Sequence, residues 1–229
     1  MSDAQNDYMR VMYDERTKPL STYPIHLATH LVKLFGLESN KHLLDVGCGR
    51  GELLAGFQAA GLKVAGADIS DVAKKLLPNL DLRIVDLEKN GLPFPDDSFD
   101  IVFSKSVVEH LTQPATYLQQ VFRVLRPGGL LITMTPSWEH QFRIFYADYT
   151  HCRPFTRESL TAIQMAGSFV DVHTRYFRQL PSVWRIPVLV AATEIARVSL
   201  PQFLSKYSKW IRFSKEIMLL SSARKPFTH

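Results

Sequence analysis

Cysteine is scarce in this chain. Only Cys48 and Cys152 occur in 229 residues, and no C-x-x-C pair is present. That excludes a disulfide framework and a cysteine-built zinc site, and it fits a reduced, cytoplasmic setting. No apolar N-terminal run opens the chain; MSDAQNDYMR is polar. No repeat or low-complexity tract appears. The longest apolar stretch, VWRIPVLVAATEIARVSL, is broken by Pro187, Glu194 and Arg197 and is too interrupted to span a bilayer. What is present suits a globular fold: 46% hydrophobic residues and 21% charged. The length suits one large α/β domain over 1–229.

Charge is unevenly spread. Residues 181–229 hold eight Lys/Arg against Glu194 and Glu216, while the first 180 residues carry 19 basic and 20 acidic groups. A neutral body with a basic end suits an acidic surface or substrate near that end, or simply a solvated face.

Residues 1–20 are polar and read as an arm. TYPIHLATHLVKLFGL (22–37) has helical apolar spacing and a glycine near its end. Strand and helix then alternate. HLLDV, LKVAGAD, DLRIVD, SFDIVFS and LLITMTP read as five strands. GELLAGFQAAG, DVAKKLL and ATYLQQVFRVLRPGG (115–129) read as the helices between them. Short connections of this kind predict a mostly parallel sheet with helices on both faces. After 136 the pattern loosens. RESLTAIQMAG reads as a helix, FVDVHTRYF as a strand, 181–213 as a helical insertion and KEIMLLSSARKP as a last strand. The two late strands form an antiparallel pair that brings the sheet to seven.

LLDVGCGRG, residues 43–51, is the densest motif. Glycines at 47, 49 and 51 follow an apolar strand. Asp45, Asp68 and Asp86 stand at or past the carboxyl ends of three successive strands, where such sheets bind ligands. The spacing is G-x-G-x-G rather than the dinucleotide G-x-G-x-x-G. A pyrophosphate would be repelled by Asp45. S-adenosylmethionine has no phosphate and offers a sulfonium and an ammonium, so it tolerates acids beside the glycines. Each acid also has a plainer reading: Asp45 and Asp68 as caps, Asp86 as turn chemistry. Cys48 reads as a small packing residue.

These residues, with VAGADIS, IVDLEKNGLPFPDDSFDIVFSKSVVEHL and VLRPGGLLITMTP, resemble the class I S-adenosylmethionine-dependent methyltransferases, most closely the broad type 11 group. The resemblance covers residues 40 to about 136. It implies a Rossmann-like methyltransferase fold: α/β, doubly wound, seven-stranded, with an antiparallel C-terminal strand preceded by the helical insertion. Residues 1–40 would form an arm and helix, 41–136 the cofactor half and 137–229 the acceptor side. It further implies that Asp45 holds the glycine loop and reaches the methionine ammonium. Gly47, Gly49 and Gly51 would let the backbone close on the cofactor. Asp68, with Ile69 beside it, would take the ribose hydroxyls. Asp86 and the Leu87 N–H would meet the adenine, and the Ser104 carbonyl would face the ammonium.

For the acceptor, two histidines stand out as bases. His110, in SVVEHL, lies just past strand four, with Glu109 as its orienting partner or as a surface acid. His151 lies in YADYTHCRPFT, where Arg153 could hold an acidic acceptor; a structural clasp is the plainer reading of this loop. Asp148-x-x-His151 has metal-ligand spacing, but no third ligand is evident in sequence, so no metal is expected. Neither cysteine has a nucleophile's setting, and no aromatic–basic stripe marks a nucleic-acid partner. Trp184, Phe203, Trp210 and the basic residues of the insertion could form a substrate lid, a homodimer face or a peripheral membrane contact. The expected function is methyl transfer from S-adenosylmethionine to a small molecule, at oxygen. The alternatives are a lipid-linked or glycan-precursor acceptor, a non-catalytic cofactor-binding module and an NAD-dependent oxidoreductase.

Overall fold

A computed structural model describes residues 21–227; the arm expected over 1–20 lies outside them. The first helix, α1 (Tyr23–Phe35), has Pro24 in its opening turn, where the missing N–H costs nothing. It ends at left-handed Gly36, beyond which Leu37 N–H returns to the Val32 carbonyl. The alternating region follows as β1 (His42–Val46), α2 (Glu52–Ala59), β2 (Lys63–Asp68), α3 (Val72–Leu76), β3 (Asp81–Ile84), α4 (Leu87–Asn90), β4 (Phe99–Lys105), α5 (Pro114–Val124) and β5 (Leu125–Pro136). The remainder comprises α6 (Trp138–Gln141), α7 (Arg157–Ala166), β6 (Val170–Phe177), α8 (Pro181–Arg185), α9 (Leu189–Ser199), α10 (Lys209–Lys215) and β7 (Met218–Arg224).

The seven strands form one sheet in the order β3-β2-β1-β4-β5-β7-β6. The first five run parallel, and β7 is antiparallel to both β5 and β6. Alternation along the strands explains the two-faced core. On β1 and β4, Leu43, Ile101 and Phe103 pack with Leu27, Leu31 and Phe57 of α1 and α2. Their neighbours Leu44, Val46 and Val102 pack with Tyr117, Leu118 and Val121 of α5. Both faces are covered, so the inner strands are mostly apolar, with polar residues such as Asp45 and Ser104 toward their carboxyl ends. The chain winds outward from β1 to β3 and restarts at β4 beside β1. The crevice between the carboxyl ends of β1 and β4 is therefore the topological switch point.

One expected element differs. The helix read over 115–129 stops at Val124, and Leu125 already pairs with Phe99 as β5 begins. Pro127 bars continuation of the helix by disfavouring helical geometry at Arg126, and Leu125, one residue earlier, is already extended at φ −73°, ψ 138°.

α1 and α2 approach through Gly56. A Cβ there would lie 2.8 Å from Ala28 Cβ and 3.2 Å from Ile25 Cα, neither of which is a flexible chain end. Gly56→Ala would gain about 1 kcal/mol of helix propensity but would incur about 1–3 kcal/mol of overpacking. We expect net destabilisation, read as a lower urea midpoint with an unchanged slope.

Candidate active site

The turn after β1 is built on left-handed backbone. Gly47, Gly49 and Gly51 have φ of 75°, 56° and 78°. A Cβ on Gly47 would also collide with Val107 of the facing loop after β4. The turn is clasped by Asp68, not by Asp45. Asp68 Oδ2 accepts Gly49 N–H at 2.8 Å, and Oδ1 accepts Ser70 N–H at 2.8 Å. The Ile69 N–H also bonds this carboxylate, and Asp68 lines the cavity. Burial raises its pKa, opposed by those backbone hydrogen bonds.

Asp45 lies beneath the turn, 2% exposed, and its Oδ2 has no hydrogen-bond partner. Burial first, and then the nearby charge of Asp68, pushes its carboxyl well above the usual range. A buried carboxylate oxygen without a partner is costly. Here the missing partner has the character of a cationic donor. A pyrophosphate would add negative charge to two carboxylates. The ammonium and sulfonium of S-adenosylmethionine fit the residues present.

The other cofactor candidates spread along the same edge. Gly47, Asp68, Ile69, Asp86 and Leu87 all line one cavity of about 1060 Å³. Asp86 caps α4 through Glu88 N–H and pairs with Lys89 at 2.7 Å. The Lys89 hydrogen bond, chiefly, lowers its pKa. Its turn role is thus real alongside its place on the cavity wall. Ser104 is buried within β4, its Oγ unpartnered, and sits one residue behind the wall. The wall itself is made by Lys105, Ser106 and Val107. Ser106 has φ of 57°, a strained value for a non-glycine residue at a strand end. Sequence reading missed these three; the signal was available only as their position just past a strand end.

His110 and His151 come together although 41 positions separate them. Their ring centroids lie 4.7 Å apart on the cavity wall. Their tautomers follow from their partners. The Thr150 hydroxyl gives its one proton to Asp148 Oδ1 at 2.6 Å, so at 2.8 Å it accepts from His110 Nδ1–H. His151 Nδ1–H donates to the Phe145 carbonyl at 2.7 Å. In both rings Nε2 is the basic nitrogen. Burial, then the charge of His151, lowers the His110 pKa to about 4.

Glu109 is neither His110's orienting partner nor a surface acid. It is fully buried, its Oε2 accepts the Thr135 hydroxyl, and burial raises its pKa to about 7. Its backbone carbonyl receives Cys152 and Arg153 N–H, which pins the histidine loop. Arg153 does not face an acceptor; its guanidinium donates to the Thr112 carbonyl. Among the described residues, Glu109, His110 and His151 also bring one potential metal-ligating atom each to within 4.8 Å of one another. Their separation along the chain hides that grouping from the sequence.

The insertion roofs the cavity. Gln179, Leu180, Pro181, Lys209, Arg212 and Phe213 line it opposite the glycine turn. The roof is tied to α1. Tyr23 donates to Gln179 Oε1 at 3.3 Å and stacks on Phe213, and Trp184 stacks on His30 with centroids 4.4 Å apart. Lys215 holds the last turn of α9 by donating to the Arg197 and Leu200 carbonyls.

Known proteins resemble this chain in sequence and in fold. A family model described as a methyltransferase domain matches residues 21–168. The chain belongs to the class I S-adenosylmethionine-dependent methyltransferases. It is 33% identical over 134 residues to a Mycolicibacterium smegmatis protein named "Probable S-adenosylmethionine-dependent methyltransferase", covering 56% of this chain and 49% of that one. It is 34% identical over 111 residues to the ubiquinone biosynthesis O-methyltransferase of a Bradyrhizobium species, covering 44% and 43%. The chain thus spans about half the length of these curated relatives. Among solved structures, phosphoethanolamine N-methyltransferase 2 of Haemonchus contortus, bound to S-adenosyl-L-methionine, superposes with TM-score 0.71 at 17% identity, over 99% of this chain and 60% of that one. A methyltransferase from Archaeoglobus fulgidus gives 0.66 at 19%, over 94% and 99%. At these identities the likeness is one of fold.

Two outcomes test the site. Asp45→Asn removes a buried carboxyl whose raised pKa costs stability as the pH climbs above the ordinary carboxylate range, so it should raise the thermal midpoint of the cofactor-free protein at neutral pH. It should also weaken S-adenosylhomocysteine binding about tenfold to a hundredfold, the worth of a charge-assisted hydrogen bond; calorimetry reads both. Nitrogen chemical shifts should report Nδ1–H tautomers for both imidazoles, with His110 staying neutral until the pH nears about 4. A His110 that titrates at its ordinary 6.5 would contradict the burial described here.

Proposed function

We propose that the chain transfers a methyl group from S-adenosylmethionine to a small-molecule acceptor, at oxygen. The observation that carries this reading is the pairing of two unlike walls in one cavity. One wall bears acids and a glycine turn. The other bears two imidazoles held in a single tautomer.

When bound, S-adenosylmethionine supplies a methyl group already activated by a positive sulfur. Asp45 would take the ammonium, and the backbone at Gly47 would close on the methionyl part. Asp68 and Ile69 would meet the ribose, Asp86 and the Leu87 N–H the adenine, and the Ser104 carbonyl the ammonium. The chain's own work is to align the partners and exclude water, which the roof over 179–213 favours. A hydroxyl acceptor must also lose its proton. His151 Nε2 would receive it, since the Phe145 carbonyl fixes which nitrogen is basic. His110, kept neutral by burial, would lie beside it. The name of the Bradyrhizobium relative, an O-methyltransferase, lends support to oxygen as the target.

S-adenosylhomocysteine should raise the melting temperature while NADH leaves it unchanged; stabilisation by NADH instead would select an oxidoreductase. His151→Ala should lower the turnover of a hydroxyl acceptor by about a hundredfold or more, with S-adenosylhomocysteine affinity retained. Equal losses in rate and cofactor affinity would assign His151 to structure instead.

A further inference from the structure

Seven of the seventeen large apolar side chains exposed on the described surface fall within the 22 residues from Ile186 to Tyr207. They are ordered by the helix. Val188, Ala191, Ile195 and Val198 recur at spacings of three and four and form one outward stripe on and before α9. Thr193 and Ala196, on its other side, are buried. Val188 is 76% exposed and Val198 73%. A surface helix ordinarily turns polar residues to water at such positions. Phe203 and Tyr207, four apart on the segment that follows, add two exposed rings to the same stretch of chain. An apolar patch of this kind marks a contact surface.

The charge around the patch says what would cover it. Residues 181–215 hold six basic side chains against the single acid Glu194. That acid is neutralised by ion pairs with Arg178 and Arg197. Arg185, Lys206 and Lys209 are exposed and have no ion pair among the described residues. A second copy would bring like charges together across the patch, whereas an anionic surface complements them. No helix among the described residues is long and apolar enough to cross a membrane, so the patch suits lying on a bilayer rather than entering it.

We propose that the outward face of the insertion, centred on Val188, Ile195, Val198, Phe203 and Tyr207, docks the protein on an anionic phospholipid surface. The apolar stripe enters the interface, and Arg185 and Lys206 meet lipid phosphates. The cavity is lined not by this segment but by Pro181 before it and by Lys209, Arg212 and Phe213 after it. The inference does not depend on methyl transfer.

Flotation of the full chain with vesicles tests it. The protein should float with phosphatidylcholine–phosphatidylglycerol vesicles and not with phosphatidylcholine alone, and added salt should reverse the binding. Val198→Asp with Phe203→Asp should abolish flotation. Arg185→Gln with Lys206→Gln should weaken it about tenfold or more. Binding of S-adenosylhomocysteine, measured on each variant, should match the parent and so report an intact fold. Absence of flotation with anionic vesicles would overturn the proposal, as would unchanged flotation of the aspartate pair. A dimer in solution by light scattering that the aspartate pair dissociates, without vesicle binding by the parent, would assign the face to a second copy instead.

Discussion

The arrangement rests on two carboxylates buried side by side at the ends of β1 and β2. Asp68 uses backbone donors to hold the glycine turn closed, which gives its charge local compensation. Asp45 has no such donor for Oδ2. The fold therefore carries one satisfied acid and one unsatisfied acid within a single crevice. That asymmetry favours a cationic group at one point, beside Asp45. The parallel sheet makes the asymmetry possible, because it ends adjacent strands at the same edge.

On the cofactor side, much of this was legible in the chain. The glycine spacing and the strand-terminal acids lie within 45 residues, and local physics fixes where they go. The division of labour between Asp45 and Asp68 was not legible. Both read as acids at strand ends, and which one meets Gly49 N–H depends on the turn's three-dimensional path. β5 was misread at its start because Arg-Pro-Gly-Gly looks like a helix stop, whereas the chain is already paired with β4 there.

On the acceptor side, less could be read. His110 and His151 were each visible as candidates, but nothing local says that they meet. Their contact is made by the Glu109 carbonyl, which receives two N–H groups from the distant loop. Glu109 itself looked like a surface acid because acids usually are exposed. Tertiary burial overrode that expectation. Arg153 was drawn away from the cavity by a carbonyl that no sequence pattern announces.

The insertion has a property that follows from its seam with the first helix. Rings from α1 interleave with rings from the roof, at Tyr23 with Phe213 and at His30 with Trp184. Packed rings oppose sliding, so a shift of the roof disturbs the helix. Widening the chamber for a bulky guest thus demands displacement of the segment that opens the fold, rather than the swing of a loose flap.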